Sequence, residues 1–219
     1  MRRARTTLSV RKAFLGIFLL SSLAAAQSLR ELADRAGILI GSAVRPAQFS
    51  ESAYAATLSR EFNMVEPEDA MKWWVIRHDP TTFDFTQGDQ VVNFARTHGM
   101  KVRGHTLVWG WSNPPWLIER HFTPEELSAL LQEHIAKVAG HYRGQVFAWD
   151  VVNEAFDEQG KVKDTIWYNR PGIGLAGKGT AYISKCSVGH TQPIRMRCSS
   201  TTIPRGKRSI RSRTRFMRW

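Results

Sequence analysis

The chain has 219 residues, 42% of them hydrophobic and 23% charged, which is an ordinary composition for a globular protein of one or two domains. Its formal net charge of +12 is carried by the two ends, because residues 1–26 hold five cations, residues 184–219 hold ten, and neither segment has an acid. The 16 remaining cations face all 19 acids in residues 27–183, which excludes a basic, nucleic-acid-binding body. Both cysteines, Cys186 and Cys198, lie in the basic end, which excludes a disulfide or a thiolate metal site in that body.

The first 26 residues have the anatomy of a secretory signal peptide. Cations precede the apolar run AFLGIFLLSSLAAA, and the small residues at 24–26 fit a cleavage site before Gln27. An uncleaved membrane anchor is the alternative, but the apolar run is short for a bilayer span. We therefore expect a secreted or periplasmic protein that keeps no membrane contact after cleavage.

Between residues 38 and 156, short apolar runs alternate with segments of helical apolar spacing, which predicts an α/β fold of about four strand–helix units. The predicted strands are 38–44, 62–69, 101–109 and 145–156. The predicted helices are 51–62, 86–100 and a third that opens with a capping box at 123–126 and runs to Tyr142. Connections of this length make the strands parallel, as in a (β/α)8 barrel or an open doubly wound sheet. No GxGxxG or GxxxxGK[ST] phosphate loop directly follows one of the predicted strands, which favours the barrel.

Polar and aromatic residues follow the predicted strands, and in a barrel these strand ends converge on one face. The residues are Glu68, Asp69 and Lys72 after the second strand, His105 and Trp109 on the third, and Asn153 and Glu154 on the fourth. Singly, each has a structural explanation, such as a surface charge, a core histidine or a helix cap. Together they supply donors for sugar hydroxyls, an aromatic face for a pyranose ring and a carboxyl group in a partly apolar wall. Such a wall disfavours the charged carboxylate and so suits a general acid.

Four blocks of the sequence resemble, in the same order, those of glycoside hydrolase family 10, the retaining endo-β-1,4-xylanases. The blocks are EDAMKW (68–73), GHTLVWGW (104–111), WDVVNEAFDE (149–158) and IWYNRPGIGLAGKGTAYI (166–183). The resemblance covers roughly residues 38–183. It implies a (β/α)8 barrel that hydrolyses internal β-1,4 linkages of xylan by double displacement, as a monomer, with no cofactor and no metal.

The resemblance also implies roles for the residues at the strand ends. Glu154 matches the acid/base glutamate, and Asn153 matches the asparagine that holds the 2-hydroxyl of the cleaved sugar. The residues that match the lining of the glycone subsites are Glu68, Lys72, His105 and Trp109.

Three positions depart from the family pattern. Asp69 stands where the family usually has Asn, Gly110 where a second His is common, and Ser112 where a Gln often sits. Asp69 remains a candidate substrate-binding residue, and the departures leave activity on other β-glycans open.

A retaining mechanism needs a second carboxylate about 5–5.5 Å from the first, to attack the anomeric carbon. The resemblance places this nucleophile on the seventh strand, in a block like TELD, and the sequence contains no such block. We therefore expect residues 27–183 to form a barrel truncated to about the first four β/α units, with no nucleophile in this chain and no activity as written.

The basic tail, residues 184–219, has no acid and no regular apolar period. A polyanion-binding arm and a solvated, disordered tail are two interpretations. The one we favour is a shifted reading frame, because one G restored after the Ile183 codon allows EQVFRWAHAADPDALLFYNDT. That string resembles the next helix and the fifth strand of the same family.

Two other functions fit the strand-end residues. One is a barrel β-1,4-glucanase or cellulase, because Asn-Glu pairs end strands across retaining barrels. The other is a non-catalytic glycan-binding or polyanion-binding remnant. In the favoured interpretation the partner is xylan or a related β-1,4-glycan, and no nucleic acid is expected.

Overall fold

The computed structural model describes residues 27–168 and the strand Arg195–Ser199. The predicted signal peptide and most of the basic tail lie outside these residues, so both stay predictions. Among the described residues, no helix combines the length and the apolar character needed to cross a membrane.

Five parallel strands form one sheet in the order β1-β2-β3-β4-β5. The strands are β1 (Gly41–Val44), β2 (Met64–Pro67), β3 (Lys101–Trp109), β4 (Ala148–Asn153) and β5 (Arg195–Ser199). The helices are α1 (Leu29–Ala36), α2 (Ser52–Glu61), α3 (Trp73–Ile76), α4 (Thr86–Thr97), α5 (Pro115–Glu119) and α6 (Pro124–His141), with a 3-10 helix at Pro46–Ser50. This order confirms the predicted α/β class with parallel strands.

The hydrophobic core lies between the sheet and the connecting helices. On β3, Val102 is buried, whereas its neighbours Lys101 and Arg103 are exposed and half-buried, which is the alternation of a strand with one apolar face. Val65 and Val102 join Val91 of α4 and Ile135 of α6 in a single cluster of buried residues. The opposite face of the strands is thereby left for polar side chains.

Helix α6 shows how the sequence sets a local element. Thr123 and Glu126 form the predicted capping box, each side chain bonding the other residue's backbone N–H. The helix buries Leu127, Leu131 and Ile135, one residue per turn, against the core. The start of this helix at the capping box agrees with the prediction.

Glycine at position 104 permits close packing between two strands. Gly104 on β3 is the register partner of Trp149 on β4, and a Cβ at this position would overlap the Trp149 ring. The buried indole therefore lies flat across its neighbouring strand, which no larger residue would allow.

A fifth strand, β5, lies within the basic tail. It pairs with β4 in parallel, with Ala148 opposite Arg195 and Asn153 opposite Ser199. Composition did not predict this strand, because pairing at an open sheet edge uses backbone N–H and C=O groups and needs no apolar period. The structure does not bear on the proposed shift of reading frame.

Candidate active site

The carboxyl ends of β2, β3 and β4 bring the predicted site residues to one edge of the sheet. Glu154 follows β4 directly, and its φ of 49° lies in the left-handed region that a non-glycine residue seldom adopts. This conformation ends the strand and turns the chain away from the sheet. A residue held there at a cost is typical of a functional site.

Two nitrogen donors hold the Glu154 carboxylate. Trp109 Nε1 and Lys163 Nζ each donate to Glu154 Oε2 at 3.3 Å, and the side chain remains 31% exposed. The carboxylate is therefore oriented by its neighbours and still open to a ligand.

Lys72 lies over the ring of Trp109. Its Nζ is 4.9 Å from the centre of the Trp109 ring and donates to Asp69 Oδ1 at 2.8 Å. Asp69 and Glu68 both contact Arg45, Asp69 at 3.6 Å and Glu68 at 2.8 Å. Arg45 was not predicted from the sequence, although Arg45 directly follows β1 and the predicted site residues likewise lie at strand ends.

Deeper in the site, Asp150 is the centre of a charged cluster. Its carboxylate is buried, accepts from Arg103 Nη2 at 2.5 Å and lies 3.0 Å from His105 Nδ1. Arg103 also reaches Glu66 at 3.3 Å. Burial opposes the charge of Arg103, but the hydrogen bond from Arg103 to Asp150 and the charges of Asp150 and Glu66 outweigh it and raise the pKa of the guanidinium above its usual range. His105 is thus held by Asp150, a residue that the sequence analysis had assigned to an apolar buried strand.

The donors of Glu66, His105 and Asp150 lie within 4.8 Å of one another, which is the arrangement of a possible metal site. Here Arg103 already contacts both carboxylates, so their charge is balanced by a guanidinium. The carboxylates of this cluster are thus already paired with a guanidinium and an imidazole.

Asn153 lies beside Trp109 in the strand register and is 6% exposed. Within the described part of the chain, its side-chain amide makes no hydrogen bond. A nearly buried amide with unused donors and acceptors can hold a polar ligand group at this position.

The structure thus places most of the predicted residues in two groups. Glu154, Trp109, Lys72 and Asp69 form one connected set, Glu68 joins it through Arg45, and His105 lies deeper with Asp150. The arrangement offers one oriented carboxyl group, an indole face and several hydrogen-bonding groups, which suits acid/base chemistry on a sugar. The second carboxylate of a retaining site stays a prediction.

Comparison with known proteins gives the family. The protein-family model for glycosyl hydrolase family 10 matches residues 28–182. A β-1,4-xylanase of Dictyoglomus thermophilum is 46% identical over 118 residues, which are 53% of this chain and 33% of the relative. Endo-1,4-β-xylanase A of Humicola insolens is 44% identical over 110 residues, which are 50% of this chain and 29% of the relative.

Solved structures agree. Xylanase 10B from Thermotoga petrophila, in complex with xylobiose, has a TM-score of 0.67 and 40% identity, over 73% of this chain and 47% of that chain. Native xylanase 10B from Thermotoga maritima has a TM-score of 0.65 and 37% identity, over 73% of this chain and 48% of that chain. The neighbours are (β/α)8 barrels, and the parallel sheet with its helices corresponds to part of such a barrel. The chain spans about a third to a half of the length of these relatives.

Proposed function

The chain belongs to glycosyl hydrolase family 10, and on that premise we propose that it derives from a secreted endo-1,4-β-xylanase that hydrolyses internal β-1,4-xylosidic bonds in xylan catabolism. The observation that supports this proposal is the Glu154 carboxylate, held by Trp109 and Lys163 at the end of β4 and still open to a ligand.

Glu154 acts as the general acid and then as the general base. In the first step its proton passes to the glycosidic oxygen as the bond to the leaving sugar breaks. In the second step the carboxylate takes a proton from the water that releases the bound xylosyl unit. The donors Trp109 and Lys163 keep the carboxylate aimed at one place through both steps.

The remaining residues bind the sugar units next to the cleaved bond. The Asn153 amide holds the 2-hydroxyl. It is nearly buried and makes no hydrogen bond within the described part of the chain. Lys72, Asp69 and Glu68 bond further hydroxyls, and Trp109 and His105 line the same subsites. Asp150 keeps His105 in place, because its buried carboxylate is the partner of the imidazole.

Double displacement with retention requires a nucleophile from a later strand, and we propose that the 219-residue chain alone turns over no xylan. The experiment that tests the function therefore completes the barrel. Residues 27–183 are joined to the part of the Thermotoga petrophila xylanase 10B that this chain does not cover, to give a chimera called here the completed barrel.

The completed barrel is expected to release reducing sugar from xylan and far less from carboxymethylcellulose. Glu154→Gln keeps the size of the side chain but has no proton to give, so xylan turnover is expected to fall by about 10² to 10⁴. Lys137→Gln, on the exposed side of α6, is the matched control and leaves turnover unchanged. Equal rates on the two polymers, or full activity in Glu154→Gln, would contradict the proposal.

A further inference from the structure

The loop between β3 and α5 exposes one aromatic side chain beside the site. Three residues follow Trp109 before the chain reaches Asn113: Gly110 has no side chain, Ser112 is buried, and Trp111 is 67% exposed. Among the large hydrophobic side chains of the described residues, Trp111 is the most exposed. Any side-chain contact that this turn makes with a ligand therefore comes from Trp111.

Hydrogen bonds fix the loop that carries Trp111. The Asn113 amide donates to the carbonyls of Trp109 at 3.2 Å and Gly110 at 2.9 Å. Gly110 packs so closely against Thr165 that a Cβ at position 110 would overlap the Thr165 side chain. The Asn113 amide and the segment after β4 thus hold the backbone of the turn from which Trp111 extends.

The Trp111 side chain does not stabilise the fold by burial, because most of its surface is in contact with solvent. Trp73, Trp149 and Trp167 are each at most 2% exposed and belong to the core. Burying a large apolar side chain stabilises a protein by about 1.5–3 kcal/mol, so leaving an indole in water on a rigid loop forgoes that gain. An exposed aromatic ring at the edge of a binding site is suited to stacking on a ligand that has an apolar face.

The position of Trp111 relates it to the sugar chain. It lies two residues beyond Trp109, so the two Cα atoms are at most about 7 Å apart. Lys72 covers the Trp109 ring and Glu154 bonds its N–H, which ties that indole to the sugar units at the cleaved bond. Trp111 has no such partners in the described part of the chain, and its face is open to a unit farther along the same polymer.

Resting on the proposed function, we propose that Trp111 is the platform of an additional subsite, on which a xylosyl unit away from the cleaved bond stacks its C–H face. The unsubstituted pyranose ring of xylose has no hydroxymethyl group, so it lies flat on an indole. The subsite makes the protein bind long oligosaccharides more tightly than short ones.

Calorimetric titration of the 219-residue chain with xylobiose and with xylohexaose tests this subsite. Trp111→Ala is expected to weaken xylohexaose binding about tenfold, which corresponds to about 1.4 kcal/mol, and to leave xylobiose binding within about twofold. Trp111→Phe, which keeps a smaller aromatic face, is expected to recover most of the affinity for xylohexaose. Ile38→Ala removes another exposed apolar side chain, 58% exposed before β1 at the other end of the sheet, and is expected to change neither affinity.

Each other outcome has a definite meaning. If Lys72→Ala weakens xylohexaose binding and Trp111→Ala does not, the subsite is wrong and the proposed function stands. If Trp111→Ala weakens xylobiose and xylohexaose equally, the residue is not part of a distant subsite and the inference is again wrong. A wild-type chain that binds neither oligosaccharide, while its circular dichroism shows a folded protein, overturns the subsite, whereas the proposed function is overturned only if the completed barrel also fails to hydrolyse xylan.

Discussion

At the scale of single residues, contacts between neighbouring strands decide the geometry of the candidate site. Trp109 and Asn153 are the last residues of β3 and β4, Glu154 follows β4, and the register between the two strands brings these residues together. Asp150 was missed because its importance comes from Arg103 and His105, which lie 47 and 45 positions earlier in the chain. Such a pairing depends on the register between strands, which a single sequence does not state.

The backbone of Glu154 gives a prediction at this scale. At a φ of 49°, alanine pays the cost of the left-handed region, about 1–2 kcal/mol, and glycine does not. Glu154→Gly is therefore expected to unfold with a free energy about 1 kcal/mol higher than Glu154→Ala, as measured by urea denaturation of the 219-residue chain. Both variants lose the same two donor contacts, so the comparison isolates the backbone.

The control for this comparison is Ala148→Gly at the start of β4. An extended strand residue has no need of glycine, so this change is expected to lower stability. A Glu154→Ala variant more stable than Glu154→Gly would show that position 154 does not hold the left-handed conformation in solution.

At the scale of elements, apolar periodicity predicted the strands β1 to β4 and the helices α2, α4 and α6, but not the helices α1, α3 and α5. The β3 bounds agree with the prediction, and α2, α4 and α6 lie within the predicted ranges. Helices α3 and α5 have four and five residues, too few to show an apolar period, so no pattern could have indicated them. Each helix buries a large side chain in the core, Trp73 from α3 and Leu117 from α5.

The packing of α6 against α3 predicts how acid affects stability. His134 on α6 is fully buried, stacks on Trp73 with ring centres 3.8 Å apart, and neither ring nitrogen has a hydrogen-bond partner. Burial, helped by the charge of Arg77, lowers the pKa of His134 from 6.5 to about 3. The unfolded chain therefore binds a proton that the folded chain refuses, and stability is lost as the pH falls from about 6.5 towards 3.

His134→Phe keeps the aromatic stack and removes the titrating group. Between pH 7 and pH 4 the wild-type chain is expected to lose about 3 kcal/mol more unfolding free energy than this variant. The measurement is urea denaturation at both pH values, with His121→Gln, an exposed histidine, as a control that behaves like the wild type. Equal losses in wild type and His134→Phe would place the acid sensitivity elsewhere.

At the scale of the whole molecule, the barrel class followed from strand-end chemistry and the order of elements, and the solved relatives confirm it. The second catalytic carboxylate could not be located in the chain, because the resemblance places the nucleophile on a strand later than any block in this sequence. Strand β5 was also beyond prediction, since its pairing with β4 depends on an open sheet edge and not on a pattern in the tail. We therefore propose that this chain carries the acid/base half of a retaining site and the sugar-binding residues around it.

Azide rescue of the Glu154→Ala variant in the completed barrel tests that assignment most directly. With an aryl xyloside that has a good leaving group, the glycosyl-enzyme forms without an acid, but its hydrolysis lacks a base. Azide needs no deprotonation, so it attacks the anomeric carbon, releases the nucleophile and gives xylosyl azide. We predict that azide raises turnover on the order of 10² and that the product is β-xylosyl azide, with no effect of azide on the unmutated completed barrel. Unchanged turnover, with no xylosyl azide formed, would contradict the acid/base role of Glu154.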